Sequence, residues 1–143
     1  MAEPEPSQQR LLSDWYSARA LVAAEWAPAI LVSLLDGGMS YSRLRVVVQG
    51  SRVAEAWNPR HERMHRSTLT RSLKQLTGDG LLLREEIPGA FPRSVQYMLT
   101  PAGRDFLNAL APLVEWVADQ RALVERARLR RWETNPDTDR DHT

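Results

Sequence analysis

A helical repeat that runs directly into a two-strand pattern, over residues 64–100, constrains the fold of this chain more than any other feature. At about 100° per residue, Leu69, Leu73 and Leu76 fall on one side of a helix, whereas Ser67, Arg71 and Lys74 fall on the opposite side. Glycines at positions 78 and 80 supply the backbone freedom that a helix end and a turn require. The pattern predicts an amphipathic helix over residues 65–78, with one face packed and the other available to a partner.

Two strands are predicted after this helix, within residues 81–99. The legs are residues 81–87 and 93–99, and the sequence Pro88-Gly89-Ala90-Phe91-Pro92 between them is typical of a turn. In the second leg Val95, Tyr97 and Leu99 share one face, which is the period of a half-buried strand. The predicted fold class is mainly α with a small β-hairpin wing: a winged helix-turn-helix with N- and C-terminal dimerisation helices.

The terminal helices are predicted to carry the dimer interface. Four further helices are expected: residues 7–24, residues 27–35, residues 41–48 after the N-cap Ser40, and a last helix that Thr100-Pro101 opens. The first and last carry apolar stripes, made of Leu11, Trp15, Ala18 and Val22 and of Leu107, Leu110, Val114, Val117 and Val124. One small domain could hardly cover both stripes, so we expect a homodimer; the alternative is that both helices fold back on their own core.

Positive charge is concentrated in one part of the chain. Between Arg43 and Lys74 there are eight basic residues and two acidic ones, a balance of +6, although the whole chain carries only +1. Neutralising phosphates with such residues releases counterions, which favours binding to nucleic acid. A merely solvated basic surface is the alternative.

At this point the chain resembles the HxlR family of bacterial transcriptional regulators. The resemblance covers roughly residues 13–120 and rests on Trp26, the apolar helix Ile30 to Leu35, GGMSYSRL (37–44), LTRSLKQLTGDGLLLREE (69–86), FPRSVQYMLTPAGRDF (91–106) and Trp116. It implies a dimeric winged helix-turn-helix protein that binds double-stranded operator DNA.

The chain departs from that family in two ways. Many members carry a cysteine before the first core helix, near the position of Ser13, and some use it to sense oxidants; with no cysteine, this chain cannot sense through a thiol. The connection between the two helix-turn-helix helices is also longer here, by an insertion at about residues 49–63 whose structure the sequence does not assign.

Seven side chains are predicted to contact DNA. The N-terminal part of the second helix lies nearest the base edges in this class of proteins, and Arg71 could read guanine while Lys74 meets a phosphate. Arg43 would anchor the DNA backbone, and Arg93, which matches the family's wing position, could reach the minor groove or serve only solubility. The predicted set is Arg43, Arg66, Ser67, Thr70, Arg71, Lys74 and Arg93.

Five tryptophans in 143 residues raise the hypothesis of an effector site. A small hydrophobic or aromatic molecule could bind in a pocket at the dimer interface beside Trp15, Trp26 and Trp116, and Trp57 could close that pocket or brace the recognition helix. The alternative is that these rings simply pack in the core, although Trp57 in a polar insertion needs a burial site of its own.

Other classes of function have little support. No catalytic motif, cofactor motif or metal-ligand pattern occurs, and His61 and His65 in the insertion are too weak a pair to indicate catalysis or metal. The chain is thus predicted not to be an enzyme, to lack a transmembrane or signal segment, and to be cytoplasmic.

The expected organisation is a flexible tail at 1–6, the domain at 7–132 and a disordered tail at 133–143. Two functions remain: a DNA-binding regulator, either a repressor or a ligand-responsive regulator, and a winged-helix protein that binds or sequesters a small molecule with little DNA binding.

Overall fold

The structure, a computed structural model, describes residues 5–51, Trp57 and residues 66–134. The elements in chain order are α1 (Pro6–Leu21), α2 (Ala27–Ser33), β1 (Met39–Ser40), α3 (Tyr41–Gly50), α4 (Arg66–Gly78), β2 (Leu82–Glu86), β3 (Val95–Leu99), α5 (Pro101–Ala109), α6 (Ala111–Asp119) and α7 (Arg121–Glu133). The mainly helical fold with a small sheet confirms the predicted fold class.

One hydrophobic core joins α2, α3, α4 and the sheet. Its fully buried side chains come from the inward faces of the three helices, and each contributes about 1.5 to 3 kcal/mol by leaving water. They are Ile30, Leu31, Leu34, Leu44, Val48, Leu69, Leu73 and Leu76. The predicted apolar face of α4 is therefore the face that packs.

The sheet has three antiparallel strands in the order β1-β3-β2. Met39 pairs with Tyr97, and Leu82 pairs with Leu99. The predicted hairpin is confirmed, and Val95, Tyr97 and Leu99 do face the core. Strand β1 was not predicted, because two residues carry no periodicity and the strand exists only through its pairing with β3.

Hydrogen bonds to side chains fix the start of two helices as predicted. Ser40 Oγ accepts from the backbone N–H of Arg43 at 3.2 Å, and Thr100 Oγ1 accepts from that of Gly103 at 3.0 Å. The Thr100 hydroxyl also donates to the carbonyl of Gly80 at 2.6 Å. This second bond ties the first turn of α5 to the base of the hairpin.

The prediction of one long C-terminal helix is wrong, because the segment divides into α5, α6 and α7 with breaks at Leu110 and Gln120. Pro112, in the first turn of α6, explains the first break: it has no N–H for the carbonyl of Asn108 and its ring would clash there. Gln120 has φ −105° and ψ 35°, and nothing in its residue type explains that break.

The boundaries of the other elements differ from prediction by a few residues. Helix α1 begins at Pro6 rather than residue 7 and ends at Leu21 rather than residue 24, while α3 runs to Gly50 and takes in the start of the expected insertion. The insertion from residue 52 onward, Trp57 excepted, lies outside the described residues, as do residues 1–4 and 135–143 of the expected tails.

The terminal helices leave most of their apolar surface uncovered within one chain. No residue of α1, α6 or α7 is buried, and Trp15 and Trp116 are 64% and 50% exposed. Contact with the core comes instead from Leu21 and Val22 at the C-terminal end of α1, and from Phe106 and Leu107 in α5, which precedes α6. Over residues 5–51 and 66–134, no helix is both long enough and apolar enough to span a membrane.

Candidate nucleic-acid interface

Helix α4 presents a polar face to solvent opposite its packed face. Leu69, Leu73 and Leu76 are at most 1% exposed, and Ser72 is buried beside them. Thr70, Arg71 and Lys74 are exposed, as the helical period predicts. Two cations therefore extend from a helix that the core holds firmly in place, and α4 itself contains no acidic residue.

Helix α3 holds this helix from the side through a polar contact. The hydroxyl of Tyr41 lies 3.3 Å from Oγ1 of Thr70, and either group could donate the hydrogen bond. Tyr41 comes immediately after the N-cap Ser40, so capping fixes its position on the first turn of α3. Thr70 thus has a structural contact as well as an exposed surface, a pairing that the sequence analysis did not predict.

Arg43 lies on the same first turn of α3 and its side chain is exposed. A backbone-anchoring role requires such exposure, since the phosphates lie outside the grooves. Arg66 and Ser67 belong to α4, but their side chains lie outside the described part of the structure.

The wing ends in a turn that projects beyond the paired strands. The N–H of Ile87 donates to the carbonyl of Ser94 at 2.9 Å, and Gly89 takes φ +75°, a conformation that favours glycine. Beyond this bond Arg93 is exposed and Phe91 is 100% exposed. An apolar ring and a cation therefore lie together at the tip.

Acidic side chains accompany the wing but not the exposed face of α4. Glu85 and Glu86 are exposed at the end of β2, next to the turn. They offset the charge of Arg84 and Arg93, so the hairpin as a whole is neutral. Electrostatic attraction for phosphate is consequently stronger at α4 than at the wing.

A perturbed ion pair lies elsewhere, in α7. Arg128 donates a hydrogen bond to the Glu125 carboxylate, which lowers the pKa of Glu125 and raises that of Arg128. Both groups are on the surface, where such pairs contribute little to stability. In the described part of the chain, no group of three or more His, Asp or Glu side chains could hold a metal ion.

Two of the four tryptophans that are predicted to form a pocket at the dimer interface share a cavity within one chain, and the interface pocket itself stays a prediction. Trp26 and Trp57 both line a cavity of about 420 Å³ on the outer side of α2, whereas Trp15 and Trp116 do not line it. Trp26 is also only 5% exposed and belongs to the core, so most of its ring packs against core side chains, as the alternative interpretation expects. Residues 26 and 57 are far apart in sequence, and no local pattern could have shown that they meet.

Comparison with known proteins identifies the family. The model of the HxlR-like helix-turn-helix family matches residues 21–125. The chain belongs to the HxlR-like helix-turn-helix family. The resemblance read from the sequence is therefore confirmed, and with it the prediction that this is a protein of a transcriptional-regulator family and not an enzyme.

Relatives of this HxlR-family chain carry the same fold over most of its length. An HTH-type transcriptional regulator of Methanothermobacter thermautotrophicus is 30% identical over 95 residues, 66% of this chain and 62% of that protein. The solved structure of the regulator YtfH from Salmonella typhimurium has a TM-score of 0.56 at 29% identity, covering 89% of this chain and 94% of that one.

A more distant structure shows the fold alone. A MarR-family regulator from Enterococcus faecalis has a TM-score of 0.62 at 21% identity, covering 88% of this HxlR-family chain and 97% of the other. The matched regions span less than two thirds of the length of the curated relatives.

Proposed function

We propose that this HxlR-family protein is a homodimeric transcriptional regulator, a repressor or a ligand-responsive switch, that binds double-stranded operator DNA. In this proposal α4 lies in the major groove and the wing lies beside it. The observation that carries the proposal is the exposure of Thr70, Arg71 and Lys74 on a helix whose opposite face is fully buried. A rigidly packed helix with a cationic outer face is what groove recognition requires.

The side chains have different expected roles in this proposal. Arg71 is assigned to guanine, because its forked donors match the two acceptors of that base in the major groove. Lys74, Arg43 and Arg93 are assigned to phosphates, and Arg66 and Ser67 keep their predicted roles at the start of the helix. Thr70 is assigned to either a base or a phosphate, with its position set by Tyr41.

We include a homodimer in the proposal because the terminal helices expose apolar side chains that a second copy could bury. Helix α1 exposes Leu11, Leu12, Trp15 and Tyr16, and α6 exposes Leu113, Val114 and Trp116. Contiguous apolar surface of this kind usually marks an interface. A second copy would bury both stripes and place two α4 helices for the two halves of an operator.

Binding to small molecules with little DNA binding is the second candidate function. The cavity beside Trp26 and Trp57 favours it, because its volume of about 420 Å³ lies in the range of ligand pockets. The two candidates are compatible if the ligand controls a regulator.

The test is a binding titration of the purified protein with the duplex upstream of its own gene and with a scrambled duplex, from low to physiological salt. We expect preference for the first duplex and a fall of log affinity with log salt, with a slope of about 0.9 per phosphate contact. Equal and weak binding to both duplexes would contradict regulation through DNA.

A further inference from the structure

The end of the wing is an exposed apolar surface. Residues 87–92, which we call the wing tip, contain no charged side chain, although 26% of the residues in the whole chain are charged. Ile87, Pro88, Phe91 and Pro92 are exposed there, and Phe91 is 100% exposed. Scattered apolar side chains are common on protein surfaces, whereas contiguous apolar surface usually marks an interaction site.

A tight turn holds the backbone of the wing tip. The N–H of Ala90 donates a hydrogen bond to the carbonyl of Ile87 at 3.4 Å. Pro88 and Gly89 are the two central residues, and the φ of +75° at Gly89 fits the preferences of a type II turn. Phe91 follows this turn directly. Its backbone is therefore held in place before any partner arrives, which lowers the entropy cost of binding.

The length of the wing matches the distance between neighbouring grooves of DNA. The N–H of Leu81 donates to the carbonyl of Leu76 at 3.0 Å, so β2 begins directly at the end of α4. An extended chain from Leu82 to Gly89 covers about 23 Å, at about 3.3 Å per residue. The minor groove that flanks a major groove lies about half a helical turn away, or roughly 17 Å. With α4 in the major groove, the wing tip can reach that minor groove.

The charges of the wing favour DNA as the partner of this apolar tip. Arg93 is exposed and follows the tip directly, so a cation stands beside the ring of Phe91. A minor groove offers both surfaces that this pair requires, because phosphates line its edges and stacked base pairs form its floor. Since the hairpin as a whole is neutral, charge alone contributes little there, and an apolar contact has to supply the rest.

We propose that Phe91 inserts between two base pairs in the minor groove that flanks the binding site of α4, and that it partly unstacks and bends the duplex there. This inference rests on the proposed function. Proteins that bind the minor groove use apolar side chains, phenylalanine among them, in this way. An inserted ring makes no hydrogen bond to a base edge, so it selects sequence through ease of deformation. Pyrimidine–purine steps such as TA and CA are the most easily unstacked.

The first test detects unstacking directly. Adenines of the duplex upstream of the gene are replaced one at a time by 2-aminopurine, whose fluorescence rises when its neighbours no longer stack on it. Binding of the original chain should raise the fluorescence at a position about five base pairs, half a helical turn, from the centre of the region that α4 contacts. Phe91→Ala should abolish the rise, and Phe91→Leu should retain part of it, because leucine also serves as an apolar wedge.

Leu83→Ala is the matched control. It shortens another exposed apolar side chain of the same hairpin, in β2 and outside the wing tip, and it should leave the fluorescence rise unchanged. Because the ring of Phe91 is fully exposed, Phe91→Ala should keep the melting temperature of the original chain, so a loss of signal would not come from misfolding.

The second test separates the ring from its neighbouring cation by their salt dependence. Phe91→Ala should weaken binding about tenfold, as for the loss of one aromatic contact with a base, and should leave the salt slope unchanged, because an apolar contact releases no counterions. Arg93→Ala should instead reduce the slope. The effect of Phe91→Ala should shrink when the flexible step is replaced by a stiff A-tract.

The outcomes distinguish this inference from the proposed function. A chain that prefers its upstream duplex but raises the fluorescence at no position would overturn the insertion and leave the proposed function in place. A rise that persists in Phe91→Ala would overturn the assignment to this residue. Equal DNA affinity of Phe91→Ala and the original chain would also overturn it and would leave the wing tip to a protein partner. If the chain prefers no duplex, the proposed function fails and this inference fails with it.

Discussion

Arg71 and Lys74 extend from the same exposed face of α4, yet their charges are presented differently. The guanidinium of Arg71 has donors in a planar fork that fits one base, whereas the ammonium of Lys74 is a compact charge that any phosphate can accept. Their substitutions should therefore have different signatures, although each removes one positive charge from the same surface.

Arg71→Ala should weaken binding to the preferred duplex by about 1 to 3 kcal/mol and reduce the preference over a scrambled duplex. Lys74→Ala should weaken both duplexes alike and reduce the salt slope by about one. Fluorescence anisotropy across a salt series measures both effects. Arg10→Ala, which removes an exposed arginine on α1, is the control for lost charge. An effect of Arg10→Ala as large as that of Arg71→Ala would contradict a specific role for α4.

Arg93→Ala tests whether the wing reaches DNA. If it does, the salt slope should fall by about one, as expected for a lost phosphate contact. If the slope and the affinity stay the same, Arg93 serves solubility only.

Phe91→Ala tests the tip of the wing. A fully exposed ring makes no packing contribution within the chain, so its removal should leave the melting temperature unchanged. A lower DNA affinity in that stable variant would extend the contact to the tip of the wing.

Elements whose signal is local could be predicted from the sequence, and elements formed by distant residues could not. The packed face of α4 follows from a period of about 3.6 residues, and the caps Ser40 and Thr100 act within three residues of themselves. Strand β1 depends on pairing with residues 96 and 97, and Tyr41 meets a residue 29 positions away. The cavity likewise brings together residues 26 and 57, and no local pattern in a single sequence indicates a contact between residues so far apart.

Gly103 shows how closely α5 packs on the base of the hairpin. A Cβ built at this position would lie 2.2 Å from the carbonyl oxygen of Leu81, an atom of the backbone that cannot turn away. The same oxygen accepts a hydrogen bond from the backbone N–H of Thr100 at 3.1 Å. The hydrogen bond and the close contact of Gly103 thus fix the start of α5 against the same backbone carbonyl. Only glycine permits this approach.

Gly103→Ala should therefore destabilise the fold by about 1 to 3 kcal/mol or more, because the backbone of α5 must move away from the hairpin. Gly78→Ala is the matched control: it also lies in a helix, but a Cβ there would meet nothing within 4 Å. That change should be neutral or stabilising by up to about 1 kcal/mol through helix propensity. Urea unfolding measures the free energy of unfolding of both variants. Equal values would show that α5 can move away from the hairpin at no cost in stability.

The proposed dimer depends on the apolar surface of the terminal helices, which one chain leaves exposed. Light scattering after size exclusion should give about twice the chain mass of 16.3 kDa at micromolar concentration. Trp15→Asp should give a monomer, because burial of a charge at an apolar interface is costly. Phe91→Asp, the same type of change at an exposed ring of the wing, should remain a dimer. A monomeric original chain would contradict the proposed assembly.

Dissociation should also weaken DNA binding without changing any residue that touches DNA. Two linked modules bind one operator with a high effective concentration of the second module, and a monomer loses that advantage. Trp15→Asp should therefore keep the salt slope per module while losing affinity for a two-half-site duplex. Comparison with a duplex that contains one half-site measures the loss directly.

The backbone contact of Gly103 with Leu81 joins α5 to the base of the wing. Since no flexible side chain separates the two backbones, we expect a rotation of α5 to move the base of the wing as well. In two copies joined through their terminal helices, the angle at the joint would fix the distance between the two wing tips. The spacing between the two half-sites that the dimer can bind would then depend on the dimer interface, which lies far from the DNA.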